Sequence, residues 1–253
     1  MGRWSAAVGN LVIANVLVFL ATGVLPNFPL PLGDWLALWY PLSPSFGIWQ
    51  FVTYMFVHGG LTHIFFNMFA LISFGVVLER LWGARRFLIF YLICGVGAAV
   101  IHTLVQWAEF QSIQNHLVQA GMPLDAIHGA LKTGQYAAVF DDNPAIHGLM
   151  VQLYTIYASQ TVGASGAIYG ILVAFALIYP NAGLSLIFLP VPIPAKYFVP
   201  GILALDMLGG VTGFSIFGGN IAHFAHIGGA IIGALLMWAW RDRGTGGRRE
   251  RDV

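Results

Sequence analysis

Gly163-Ala164-Ser165-Gly166-Ala167-Ile168-Tyr169-Gly170 lies at the start of the apolar run Val162–Tyr179 and sets a single hydroxyl among glycines. Two readings compete for it. Gly166 and Gly170 form a GxxxG step, and small residues let membrane helices approach closely. The same stretch can instead present Ser165 as a nucleophile near the mouth of a spanning helix. The octapeptide alone favours packing, because short motifs match by chance. What decides between them is the rest of the chain.

The 253 residues are 58% hydrophobic and 8% charged, with a mean hydropathy of +0.78. Soluble domains carry about a quarter charged residues, so the composition is that of an all-α, multi-spanning membrane protein. The first apolar run lacks a strongly basic start and a small-x-small cleavage site, and similar runs follow it, which argues against a cleaved signal peptide. One cysteine, Cys94, excludes an internal disulfide and a multi-cysteine metal site.

A span needs about 20 mostly apolar residues. Six segments meet or approach this, at about 8–25, 61–79, 87–105, 162–179, 197–214 and 221–240. The fifth is the weakest, since it contains Asp206 and several glycines. Arg3 precedes the first span. Arg80, Arg85 and Arg86 join the second to the third, Lys196 joins the fourth to the fifth, and Arg241, Arg243, Arg248, Arg249 and Arg251 follow the sixth. Ten of the 11 Lys and Arg then share one side, with Lys132 alone on the other. The positive-inside rule places both termini in the cytoplasm. An even number of spans satisfies this, so a single six-helix membrane domain over 1–253 is expected, N-in and C-in. Residues 1–7 and 241–253 are its cytoplasmic ends.

The loop from about 26 to 60 is then external. It holds Trp35, Trp39, Tyr40, Phe46, Trp49, Phe51 and Tyr54 but only one charge, Asp34, a composition suited to the headgroup layer. The second long external loop, about 106–161, carries Glu109, Asp125, Lys132, Asp141, Asp142 and three histidines. Apolar residues at helical spacing, such as Leu149, Leu153 and Ile156, suggest short amphipathic helices on the outer surface; a flexible insertion is the alternative.

Strongly polar groups inside a membrane are costly, so each is a functional candidate. His63 and Asn67 lie on the second span, Ser165 on the fourth, and His223 and His226 on the sixth. These three spans run from outside to inside, and each named residue falls in the first two turns. At about 1.5 Å per residue all lie within roughly 10 Å of the outer end. A serine needs a neighbouring base to become a nucleophile. His226 is the better candidate because His226-Ile227-Gly228-Gly229-Ala230-Ile231-Ile232-Gly233 lets its helix approach the glycine-rich fourth span. The Ser165 backbone N–H, His63 and Asn67 can serve a developing oxyanion. His63 and Asn67 share a helical face at i, i+4, and Tyr169 follows Ser165 at the same spacing, able to pack on His226. No carboxylate is expected in this layer. Asp206 is the only acidic candidate nearby, so the expectation is a Ser–His dyad with Asp206 structural. His223 stays open between an outer-surface histidine and an oxyanion or gating residue. His58 lies just above the second span, and His102 has no identifiable partner. His116, His128 and His147 belong to the long loop and are expected to be solvated.

Taken together, His58…His63-x-x-x-Asn67, Glu79-x-x-x-Gly83, Gly163-Ala164-Ser165-Gly166 and Ala225-His226-x-x-Gly229-x-x-x-Gly233 resemble the rhomboid family of intramembrane serine proteases over nearly the whole chain. The resemblance implies Ser165 as nucleophile, His226 as general base, His63 and Asn67 as oxyanion donors, and Tyr169 stacked on the base. Gly163, Gly166 and Gly229 have supporting roles. It also implies cofactor-free cleavage of single-pass membrane proteins within or near the bilayer, with no metal and no nucleic-acid partner. A bacterial inner membrane, with the site toward the periplasm, suits this reading. Two features depart from the family. Trp49-Gln50 stands where many members carry Trp-Arg, and the 106–161 loop exceeds the compact core. Other classes are an inactive relative that binds membrane clients, a metal site at His63, His223 and His226, and a transporter. The first lacks the missing serine or histidine that marks such relatives. The second has too few suitable ligands. The third lacks internal repeats or paired broken helices.

Overall fold

The hydrophobic runs become helices that meet closely through small residues, bury large side chains such as Phe87, Phe90 and Tyr91 between them, and leave others, such as Phe65 and Trp238, outward. The structure, a computed structural model, describes residues 6–23, 31–134, 143–186, 189–213 and 222–241. Expectations for Arg3, Asp141, Asp142, Arg243, Arg248, Arg249 and Arg251 fall outside them. In chain order come α1 (Ala6–Gly23), α2 (Leu32–Leu36), β1 (Leu38–Trp39), α3 (Gln50–Thr53), α4 (Leu61–Ala70), α5 (Val76–Trp82) and α6 (Ala84–Gln119). Then follow α7 (Leu124–Thr133), α8 (Pro144–Tyr157), β2 (Gln160–Thr161), α9 (Ser165–Ile178), β3 (Gly183–Leu186), β4 (Leu189–Pro194), α10 (Ala195–Thr212) and α11 (His223–Arg241). A π-helical turn at Leu71–Gly75 joins α4 to α5, making one 22-residue helix, Leu61–Trp82.

Among the described residues, four helices are long and apolar enough to cross a membrane: Ala6–Gly23, Leu61–Trp82, Ala84–Gln119 and His223–Trp240. The chain is an integral membrane protein with a helical bundle. Helix α9 is apolar but has only 14 residues, and it sits at the centre. Its Ala167, Ile171 and Ala174 are fully buried, and it packs against both α6 and α11. A helix enclosed by protein need not match the hydrocarbon thickness along its own length.

Glycine brings these helices into backbone contact. A Cβ on Gly229 would overlap the Gly166 carbonyl oxygen, and one on Gly233 would lie 2.7 Å from the Gly170 Cα. Distances below about 3 Å are closer than van der Waals contact permits, so α9 and α11 touch only because these positions carry no side chain. Two further ties hold the bundle. Glu79 accepts the Ala7 and Val8 backbone N–H groups at 3.0 and 2.9 Å, neutralising the electropositive start of α1. At the same end, the Arg86 guanidinium lies 4.5 Å from the Trp240 ring, with Trp82 edge-on to Trp240.

The segment from 106 to 161 differs from its expectation. The third helix does not end near 105; α6 continues to Gln119, and α7 and α8 fold back on that extension. Phe110, Ile113, Leu117, Ile127, Leu131, Met150 and Leu153 bury their side chains in a second hydrophobic core. The short helices expected here are present as α7 and α8, and their apolar residues meet the α6 extension in a shared core. The start of α8 is encoded locally: Asn143 Oδ1 accepts from the Ala145 and Ile146 N–H groups, and Pro144 occupies the first turn.

Candidate active site

Gly163 has φ +117°, a conformation that L-residues avoid, and this turn starts α9 at Ser165. Had serine fallen one residue earlier it would cap the helix with its own hydroxyl. In the first turn the hydroxyl is available to another partner. Ser165 Oγ lies 2.8 Å from His226 Nε2. The Tyr169 ring stacks on the His226 imidazole with centroids 4.2 Å apart and planes 10° from parallel.

Approaching from α4, the His63 ring occupies the space a side chain at 163 would need: a Cβ there would lie 2.6 Å from His63 Nε2. Gly163 thus serves both the turn and the imidazole beside it. His63 Nδ1 accepts from the Gly59 N–H at 3.4 Å, which leaves the proton on Nε2, facing the loop before Ser165. Asn67 is buried, and its Nδ2 donates to the His63 carbonyl at 3.0 Å. An amide carries two such hydrogens, so one remains. The first N–H groups of α9 have no acceptor within the helix, and they place a row of donors at Ser165.

Asp206 corrects an expectation. A carboxylate does lie in the serine layer: Asp206, 7% exposed, has Oδ1 3.0 Å from His226 Nδ1 and 2.7 Å from His223 Nδ1. The Tyr169 hydroxyl donates to Oδ2. Helix α10 runs opposite to α9 and α11, so depth along it counts from its end. Asp206 is six residues before Thr212, about 9 Å at 1.5 Å per residue, so it lies within the last two turns of α10 as Ser165 and His226 lie within the first turn of α9 and α11. His223, left open by the sequence, is tied to this carboxylate. Among the described residues, no group of three or more His, Cys, Asp or Glu is arranged so that it could hold a metal ion.

His58 and His63 meet edge to face, centroids 5.0 Å apart. Burial, with His63 close by, holds the His58 imidazole down at about 4, against 6.5 normally. His102 is buried with Nδ1 lacking a hydrogen-bond partner, while His128 Nε2 meets Gln114 Oε1 at 3.0 Å.

Gln50, which the sequence marked as a departure from Trp-Arg, and Tyr54, named there only among the loop aromatics, hold the loop above the site. Gln50 is fully buried. Its Nε2 donates to the Trp35 and Ser45 carbonyls at 3.2 and 2.9 Å, and its Oε1 accepts the Trp39 N–H at 3.2 Å. Glutamine, with donors and an acceptor on one amide, anchors this loop in place of the arginine common in the family. Tyr54 donates its hydroxyl to the Gly95 carbonyl at 2.8 Å, and its carbonyl accepts the Gly163 N–H at 2.9 Å. The antiparallel pair Leu38–Thr161 and Trp39–Gln160 adds a third tie, four residues before the serine. The advance signals were the Gln50 that replaces the family's arginine and the aromatic density of the loop.

Residues 45–110 and 115–243 match the family model described as the Rhomboid domain. The chain is 29% identical over 206 residues to Rhomboid protease AarA of Providencia stuartii, covering 79% of this chain and 59% of that protein. It is 26% identical over 203 residues to Rhomboid-like protein 11, chloroplastic, of Arabidopsis thaliana, covering 78% and 54%. Over 179 residues it is 27% identical to the mitochondrial Presenilin-associated rhomboid-like protein of Homo sapiens, covering 70% and 34%. The match thus spans a third to three-fifths of the length of these relatives.

Proposed function

This chain belongs to the rhomboid family, and we propose that it is an intramembrane serine endopeptidase whose substrates are single-pass membrane proteins. The observation that carries the reading is the 2.8 Å approach of Ser165 Oγ to His226 Nε2. In this reading His226 takes the serine proton as Oγ attacks the scissile carbonyl. The oxyanion is met by the Ser165 backbone N–H at the electropositive start of α9, and by His63 and Asn67. His226 then returns the proton to the leaving amine, and water releases the acyl product. Tyr169 limits the tilt of the imidazole by stacking. No cofactor is needed.

The topology proposed is six spans, N-in and C-in, with α9 and α10 joining the four long helices. It rests on ten of 11 basic residues sharing one side. The serine then opens toward the periplasm of a bacterial inner membrane. A helical substrate must unwind first, because its carbonyls are already hydrogen-bonded. Cleavage is therefore expected near Gly or Pro, after a small side chain. Leu in place of such substrate residues should slow cutting at least tenfold; unaltered cutting would count against unwinding.

The direct test is cleavage of a labelled single-pass substrate by detergent-purified protein, beside Ser165→Ala and His226→Ala. Both variants should lose orders of magnitude of rate. If the wild type does not cut, labelling of Ser165 by a fluorophosphonate would indicate a live enzyme with an unsuitable substrate. Folded wild type that neither cuts nor labels would replace this reading with a client-binding relative.

A further inference from the structure

We propose that Asp206 is the positioning residue of the Ser165–His226 pair, turning the imidazole so that its unprotonated nitrogen faces the serine. The inference rests on the reading of Ser165 and His226 as nucleophile and base.

A carboxylate buried among membrane helices needs hydrogen-bond donors to remain ionised. Asp206 has three, from three positions: the Tyr169 hydroxyl on Oδ2, His223 Nδ1 at 2.7 Å and His226 Nδ1 at 3.0 Å on Oδ1. An ionised carboxylate only accepts, so each imidazole presents Nδ1–H to it. For His226 this decides the tautomer. With the proton on Nδ1, the Nε2 lone pair points at Ser165 Oγ, 2.8 Å away, ready to accept its proton. The opposite tautomer would set an N–H against the hydroxyl and could not act as base.

The reaction is balanced without Asp206 changing state. Ser165 Oγ–H passes its proton to His226 Nε2 as the Oγ–carbonyl bond forms. The imidazolium then has Nδ1–H against Asp206 and Nε2–H toward the leaving group. The latter proton goes to the departing amine as the C–N bond breaks. The carboxylate keeps its negative charge throughout and favours the transient imidazolium. Tyr169 joins the unit twice, stacked on the His226 ring and bonded to the Asp206 carboxylate. His223 restrains the same oxygen that holds His226, so the carboxylate is fixed from α9 and from two points on α11.

A purely structural role must be separated from this one, because Asp206 also ties α10 to α9 and α11. The test uses the full chain in detergent as wild type, Asp206→Asn, Asp206→Glu and Ser165→Ala. It reads kcat and KM on a single-pass substrate, the rate of fluorophosphonate labelling at Ser165 per folded molecule, and Tm. Asp206→Asn is nearly isosteric and should lower kcat about 100-fold or more, with KM within about threefold. Labelling should slow in parallel while Tm moves little. Asp206→Glu should recover about tenfold over the amide. The inference is overturned if Asp206→Asn keeps kcat and labelling within about threefold of wild type, or if activity falls only as folded protein is lost. Folded wild type that neither cuts nor labels would remove the protease reading itself; active wild type with indifferent Asp206→Asn would remove this inference alone.

Discussion

At Gly163 two constraints meet that are usually found apart. Its backbone is left-handed, which costs another residue about 1–2 kcal/mol, and the space beside it holds the His63 ring. Gly163→Ala should therefore reduce Ser165 labelling by at least about tenfold. Gly148→Ala, in α8 with nothing within 4 Å of the added methyl, should leave labelling unchanged. Equal labelling of the two variants would show that the turn does not set the serine. His58, outside the spanning helices, gives a second expectation. Its imidazole is neutral in the folded protein down to about 4 and would bind a proton near 6.5 when unfolded. The unfolded chain thus binds more protons between these values, so stability falls as pH drops from about 6.5 toward 4, by up to ~3 kcal/mol. Tm measured from pH 7.5 to 4.5 should fall more steeply for wild type than for His58→Gln. Identical slopes would mean that His58 gains solvent on the acid side without unfolding. The roles expected of Ser165, His63, Asn67 and His226 could be stated in advance because polar residues in apolar helices are conspicuous. Asp206 was equally conspicuous as the only acidic candidate, but it was expected to be structural, since a run of residues does not show which side chains of neighbouring helices it reaches.

At the scale of elements, function depends on how closely α9 and α11 approach. Gly166 faces Gly229, and Gly170 faces Gly233, so one added methyl must push the helices apart. Gly229→Ala should lower Tm and cut labelling of Ser165 more than tenfold, because the 2.8 Å serine–histidine contact cannot survive a shift of an ångström. Gly201→Ala on α10, whose methyl meets nothing, is the control. If the two behave alike, the backbone contact is not what joins the pair. Glycine spacing in both helices was legible from the sequence. Which glycine met which was not, since that requires the crossing geometry.

Across the whole molecule, the cap and the loop above the site act as one body. Tyr40 of the loop stacks on Phe110 of the α6 extension at 5.0 Å, strand β1 pairs with β2, and Gln50 gathers three backbone groups. Phe110→Ala removes a fully buried ring, at a cost of about 3–5 kcal/mol to the cap core. Hydrogen exchange should then rise in 124–133 and 144–157, and also in 38–57. Exchange confined to the cap would mean that the loop stands independently. Topology can be tested on the same scale. Lys132→Cys should react with an impermeant maleimide in intact cells and Lys196→Cys only after permeabilisation, with buried Cys94 silent. The reverse pattern would invert the proposed orientation.

The sequence by itself determined that the chain enters a membrane, that its helices meet through glycine, and that one serine and a small set of imidazoles stand out in apolar surroundings. Each of these follows from composition or from periodicity along one helix, which are local properties. Only the tertiary structure decided that Asp206 reaches His226, that Gln50 and Tyr54 hold the loop beside Ser165, and that α7, α8 and the end of α6 form a cap with its own core. Those contacts join different elements, on antiparallel helices or across irregular backbone. Their existence depends on helix direction, crossing angle and side-chain reach, none of which a run of residues carries.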